Sequence, residues 1–127
     1  MIEATGTTVK TETHGDVTVV ALVGDHDVAT VELVRAQLDA VASSGGGLVV
    51  SLMETTFFDS SVVHALYDAN GKLVEHDRRL VLHVATAPIV SRVLEVSGLQ
   101  ATVSTTGSLE EAIELARRPE QQRPTGA

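Results

Sequence analysis

Three apolar runs limit what this chain can fold into: Val17 to Val23, Leu48 to Met53 and Arg79 to Val84. Each is short, rich in Val and Leu, and bounded by turn residues, which marks a strand. Leu48 to Met53 is nearly unbroken, as in a strand covered on both faces. Between the runs the period changes. Val31, Val34, Leu38 and Val41 recur at spacings of three and four, and so do Val62, Val63, Leu66, Ala69, Asn70 and Leu73. That spacing puts them on one helical face. Strands alternating with amphipathic helices argue for an α/β domain, a sheet packed against helices.

The remaining segments fit this frame. Thr7 to Thr13 reads as an edge strand, joined through the turn His14-Gly15-Asp16 to an antiparallel partner. Gly24 is expected to end the second strand, with Asp25-His26-Asp27 in a loop and a helix from Thr30 until Ser43-Ser44-Gly45-Gly46-Gly47 stops it. Pro88 suits a first helical turn. Ile89, Val93, Leu94 and Val96 give that helix a buried face, and Gly98 caps its end. Ala101 to Thr105 predicts a further strand. Ser108 and Glu111 form a capping box for a last helix faced by Leu109, Ala112, Ile113 and Ala116. The order is β-β-α-β-α-β-α-β-α. One domain is expected over residues 5–118, and 119–127, with Gln, Pro and Gly and no core, reads as a disordered tail.

Composition excludes several functions. Aromatics are 2% of the chain, too few for a base-stacking platform. A net charge of -8 lacks the basic footprint of direct nucleic-acid binding and suits a partner with a basic face. The absence of Cys removes thiolate nucleophiles and Cys-based zinc sites. His14, His26, His64, His76 and His83 have no metal-ligand spacing, so neither a metal nor another cofactor is expected. Met1 to Thr13 lacks the apolar core of a signal peptide. No apolar run approaches the roughly 18 residues that span a bilayer, so no membrane association is expected.

The candidate site is Phe57-Phe58-Asp59-Ser60-Ser61, a loop between the central strand and the helix that follows. A first helical turn has N–H groups without internal partners and partial positive charge, and it accepts an anion. Asp-Ser-Ser there is either a plain helix cap or a place to write a phosphate. His64 lies one turn beyond Ser60, so a Ser60–His64 nucleophile–base pair is conceivable. Ser60 nevertheless lacks the flanking glycines of a nucleophile elbow, and no oxyanion loop is evident. Asp27 taken alone is a loop acid that satisfies backbone N–H groups.

Taken together, the blocks resemble the STAS family, in particular the stand-alone bacterial anti-sigma factor antagonists. Gly24-Asp25-His26-Asp27 with Thr30, the strand Leu48 to Leu52, Phe58-Asp59-Ser60-Ser61, Pro88 with Arg92-Val93-Leu94-Glu95 and Ser97-Gly98-Leu99, and Ser108-Leu109-Glu110-Glu111-Ala112 match that family's blocks in order and spacing. The likeness covers about residues 5–116 and implies a STAS-like single domain, a central mixed β-sheet with about four α-helices. It also implies a cytoplasmic, non-enzymatic switch. Ser60, with Ser61 as the alternative, is phosphorylated by a partner that is both anti-sigma factor and serine kinase. The dephosphorylated form binds that partner and frees a sigma factor, and a PP2C-type phosphatase resets the cycle. The implied partner surface is Asp27, Thr30, Asp59, Ser60, Ser61 and Val62. Val62 stands where the family usually has Gly, and its β-branched side chain is expected to hinder a kinase. The alternative within the family is a STAS scaffold that binds without being phosphorylated.

Overall fold

The structure, a computed structural model, describes residues 8–84 and 88–118. It contains β1 (Thr8–His14), β2 (Val17–His26), α1 (Val31–Ser44), β3 (Gly47–Ser51), β4 (Thr55–Phe58), α2 (Ser60–Glu75), β5 (Leu80–His83), α3 (Pro88–Ser97), the single turn α4 (Leu99–Thr102), β6 (Ser104–Thr106) and α5 (Leu109–Arg117). This is the expected α/β fold, with a mixed six-stranded sheet, four helices and one extra turn. The expected tail at 119–127 and the start of the domain at residues 5–7 lie outside the described residues.

The sheet runs β1-β2-β3-β5-β6, and β4 pairs with β2 off this path. Among the described residues only β1–β2 is antiparallel, with His14 opposite Val17 across the turn. The β2–β3, β3–β5 and β5–β6 pairs are parallel, in registers that set Val19 beside Val49 and Val49 beside Val81. Because side chains alternate along a strand, these registers build two cores. Val20, Leu22, Leu48, Val50, Leu80 and Leu82 face α1, α2 and α3. Val17, Val19, Val49 and Val81 face Ala112 and Ala116 of α5. All five residues of β3 are buried, as its continuous apolar run requires.

The helices bury the stripes their periodicity predicts. In α1 these are Val31, Val34, Leu38, Val41 and Ala42, and in α2 they are Val62, Val63, Ala65, Leu66, Ala69 and Leu73. Gly98 ends α3 with φ at 75°, a left-handed conformation that glycine adopts without a Cβ penalty. Ser108 caps α5 by accepting from the Glu111 N–H at 3.2 Å. The capping box is only half closed, because the Glu111 carboxylate takes the Thr106 hydroxyl instead.

Four expectations are corrected. Gly24 does not end β2: its φ of 86° takes up a register shift, and the strand continues to His26. Phe57 and Phe58 are not loop residues but the end of β4, a short parallel strand on β2. Ala101 and Thr102 belong to a helical turn, so β6 begins only at Ser104. Val96 is 75% exposed rather than part of the buried face of α3, which rests on Val90 and Leu94 with Val93 half-buried.

Candidate phosphoacceptor and partner surface

The pairing of β4 with β2 assembles the site. His26 lies opposite Phe58 in register, and the Asp59 N–H donates to the His26 carbonyl at 3.3 Å. The loops that begin at Asp27 and Asp59 therefore leave the same end of the sheet from adjacent strands. This is the carboxyl end of the parallel strands, where α/β folds place their sites.

The Asp27 loop is held from inside. His26 is fully buried. Its Nε2 lies 3.0 Å from the Val23 carbonyl and its Nδ1 lies 3.1 Å from Thr30 Oγ1. A carbonyl only accepts, so Nε2 carries a proton. The Thr30 hydroxyl has one proton for two neighbours, His26 Nδ1 and the Asp27 carbonyl 3.3 Å away. The same Thr30 oxygen accepts the Asp27 N–H at 3.2 Å. Asp27 Oδ1 accepts the Ala29 N–H at 2.9 Å, an Asx turn, and leaves its other carboxylate oxygen outside the loop's own bonding. Thr30 thus serves first as a fastener: its hydroxyl is engaged within the loop.

The Asp59 loop separates the two serines. Asp59 is the N-cap of α2, and its Oδ1 accepts the Ser61 N–H at 3.0 Å and the Ser61 hydroxyl at 2.6 Å. The helix is therefore capped by the acid, not by a serine. Ser61 is half-buried with its hydroxyl committed to Asp59. Ser60, the first residue of the helix, is exposed, and its hydroxyl makes no hydrogen bond among the described residues. No hydrogen bond joins it to His64 among the described residues, so the nucleophile–base pair weighed from the sequence is not assembled here.

The expectation for Val62 is corrected. Its side chain is 0% exposed and packed in the core that α2 shares with the sheet. It neither offers a contact surface nor obstructs the approach to Ser60.

Beside Ser60 lies an open groove of about 540 Å3 between α2 and α3. Phe57, Val63, Tyr67, Val93 and Val96 give it apolar walls, with Ser60, His64 and Arg92 along the same lining. Phe57 is 40% exposed there. The Tyr67 hydroxyl donates to the Ser97 carbonyl at 3.1 Å and ties the two helices together. Reading the sequence missed this groove because Phe57 lay in a supposed loop and Val96 in a supposed core. The available signal was composition: Thr55 to Phe58 is β-branched and aromatic, as strands favour, though its burial, at the two ends only, does not alternate.

At the same sheet end, Ser51 Oγ and His83 Nδ1 are 3.0 Å apart, closing β3 against β5. Burial pushes the His83 imidazole below its ordinary value, only partly offset by a hydrogen bond with the Gly107 backbone. Among the described residues no group of three or more His, Cys, Asp or Glu could hold a metal ion, and no helix is long and apolar enough to cross a membrane.

Comparison with solved structures places this geometry. An anti-sigma factor antagonist from Mycobacterium paratuberculosis superposes with a TM-score of 0.80 at 24% identity, over 91% of this chain and 99% of that one. A putative anti-sigma factor antagonist from Thermotoga maritima gives 0.76 at 17% identity, over 87% and 95%. The Bacillus cell fate determinant SpoIIAA in its phosphorylated form gives 0.66 at 24% identity, over 84% and 97%. At these identities the likeness establishes the fold. No curated protein matches the sequence. Residues 9–110 match the family described as "Mlab, STAS domain", which is most of the chain, and the chain belongs to the STAS-domain family.

Proposed function

We propose that this chain is an anti-sigma factor antagonist, a protein-binding module switched by phosphorylation of Ser60. The observation that carries the reading is the division of labour in Asp59-Ser60-Ser61. Asp59 caps the helix and holds Ser61, which leaves Ser60 exposed and unengaged at the start of α2. The fold shared with solved anti-sigma factor antagonists supports the role, and the shared fold with phosphorylated SpoIIAA supports the switch.

The partner is an anti-sigma factor that is also a serine kinase. The Ser60 oxygen attacks the γ-phosphorus of its ATP, ADP departs, and the hydroxyl proton passes to a base on the kinase. The product carries about -1.5 to -2 of added charge and three strong acceptors. At the first turn of α2 that charge does not unfold its own domain, because the helix end favours it. Across a protein interface it acts by repulsion and by the cost of desolvation. The binding surface joins the Asp27 loop, with Thr30 as its fastener, to Asp59, Ser60, Ser61 and the exposed side of α2. A PP2C-type phosphatase returns the protein to its binding form, and the module itself performs no catalysis.

Calorimetry against the cognate partner tests the reading. The unphosphorylated chain and Ser60→Ala should bind, and the Ser60-phosphorylated chain should bind at least tenfold more weakly. Asp27→Ala should weaken binding while keeping the fold. Equal affinity of both phosphorylation states would leave a STAS scaffold that binds without the switch.

A further inference from the structure

The charge around Ser60 raises a question that the phosphate itself must answer. The acceptor follows the Asp59 carboxylate directly in sequence, on a chain of net charge -8. A phosphate there adds negative charge beside a carboxylate that is already committed to capping. Four basic side chains are already paired elsewhere. Arg35 pairs with Asp68, Lys72 with Asp39, and Arg78 and Arg117 with Asp16 at the opposite end of the sheet.

Arg92 differs from these. It sits on α3, is exposed, and has no hydrogen bond or ion pair among the described residues. It lines the groove that Ser60 also lines, on the wall across from α2. The charged or titratable groups of that lining are Asp59 and His64 with Tyr67 on the α2 side and Arg92 on α3; β4 contributes only Phe57 and Phe58. Among the described residues the site therefore holds one permanent cation, and its guanidinium fork matches phosphate oxygens.

We infer that Arg92 is the internal counter-ion of phosphorylated Ser60, drawing the phosphate across the groove toward α3. This rests on the reading of Ser60 as the phosphoacceptor and adds what the phosphate does next. In the unphosphorylated protein Arg92 has no partner among the described residues and lies on the rim of an apolar groove, open to a partner. In the phosphorylated protein the same arginine is occupied, and the phosphate lies over the groove's entrance. One modification then removes two binding features, the exposed Ser60 surface and the unpaired arginine.

The test does not require a kinase. Phosphoserine is installed at position 60 of the full chain during translation, and the phosphate is titrated by 31P NMR. His64→Gln is present in every sample, since an imidazole titrates in the same range. With Arg92 in place the second phosphate ionisation should lie about half a pH unit lower than in Arg92→Gln. Arg92→Lys should fall between them, and salt at about 0.5 M should shrink the gap. Coincident titration curves for Arg92 and Arg92→Gln would overturn the inference. Failure of every candidate kinase to modify Ser60 would instead strike the functional reading and leave this titration unaffected.

Discussion

At the amino ends of the parallel strands, charged side chains are paired with one another and with backbone. Asp16 is bonded to Arg78 at 3.2 Å and lies 3.4 Å from Arg117, while Arg78 Nε donates to the Gly45 carbonyl at 2.8 Å. Burial is the largest single influence on the Asp16 carboxyl and raises it, but its own backbone N–H and the two arginines together outweigh this and hold it below the usual carboxylate value. The backbone here is packed closely enough to exclude a Cβ. One at Gly46 would meet the Asp16 carbonyl oxygen at 2.2 Å, and one at Gly47 would meet the Ala116 carbonyl oxygen at 2.2 Å. At the carboxyl ends, Ser60, Arg92 and Phe57 are exposed, and Asp27, half-buried, keeps one carboxylate oxygen out of its loop's bonding. The contrast separates the end that holds the fold from the end that is left available to something else. It also separates two kinds of residue within the site: Val62 and His26 build it, and Ser60 is displayed by it.

The sharpest way to break this comparison is at the tight end. Gly47→Ala should cost about 3 kcal/mol or more, since the obstacle is backbone rather than a movable side chain. Denaturant unfolding would read it, and the fraction that remains folded should bind the partner normally. Next comes Val62→Gly. The loss of a fully buried side chain and the added backbone freedom should cost about 2–4 kcal/mol. The rate of Ser60 phosphorylation in the folded fraction should not rise, contrary to the steric obstacle that the sequence alone suggests.

Asp59→Ala sharpens the contrast within the site. It removes the cap and should cost about 1 kcal/mol by thermal or chemical melting. It also releases the Ser61 hydroxyl, so phosphate mapping should find more modification at Ser61 than in the wild type. The smallest effect concerns His83, whose folded-state imidazole is depressed by burial. Such a group contributes stability that is fully present above the unfolded value of about 6.5 and is lost as pH falls through the lower folded value. Melting temperature should therefore fall less steeply with acidification below pH ~6.5 in His83→Gln than in the wild type.

Most of the fold was legible because it rests on periodicity. Val31, Val34, Leu38 and Val41, or Leu48 to Val50, announce their burial by spacing alone. What was not legible depends on a second strand. Gly24 looks like a terminator in one dimension, yet its positive φ lets β2 bend and pair with β4 beyond the point where β3 leaves it. β4 has four residues, too few for a period-two pattern to stand out, so Phe57 and Phe58 looked like loop. His26 read in the sequence as one polar residue of a loop. Its role appears only once Val23 and Thr30 close around its two nitrogens. The serines were legible as a motif but not as a division of roles, because which oxygen caps a helix is decided by side-chain geometry.

That division is the central claim, and mapping the phosphate tests it most directly. The chain, Ser60→Ala and Ser61→Ala are incubated with the cognate kinase and ATP, and the modified residue is located by mass spectrometry. A single phosphate on Ser60 is expected in the wild type, undiminished in Ser61→Ala and absent in Ser60→Ala. A phosphate on Ser61 in the wild type, or one that persists in Ser60→Ala, would contradict it.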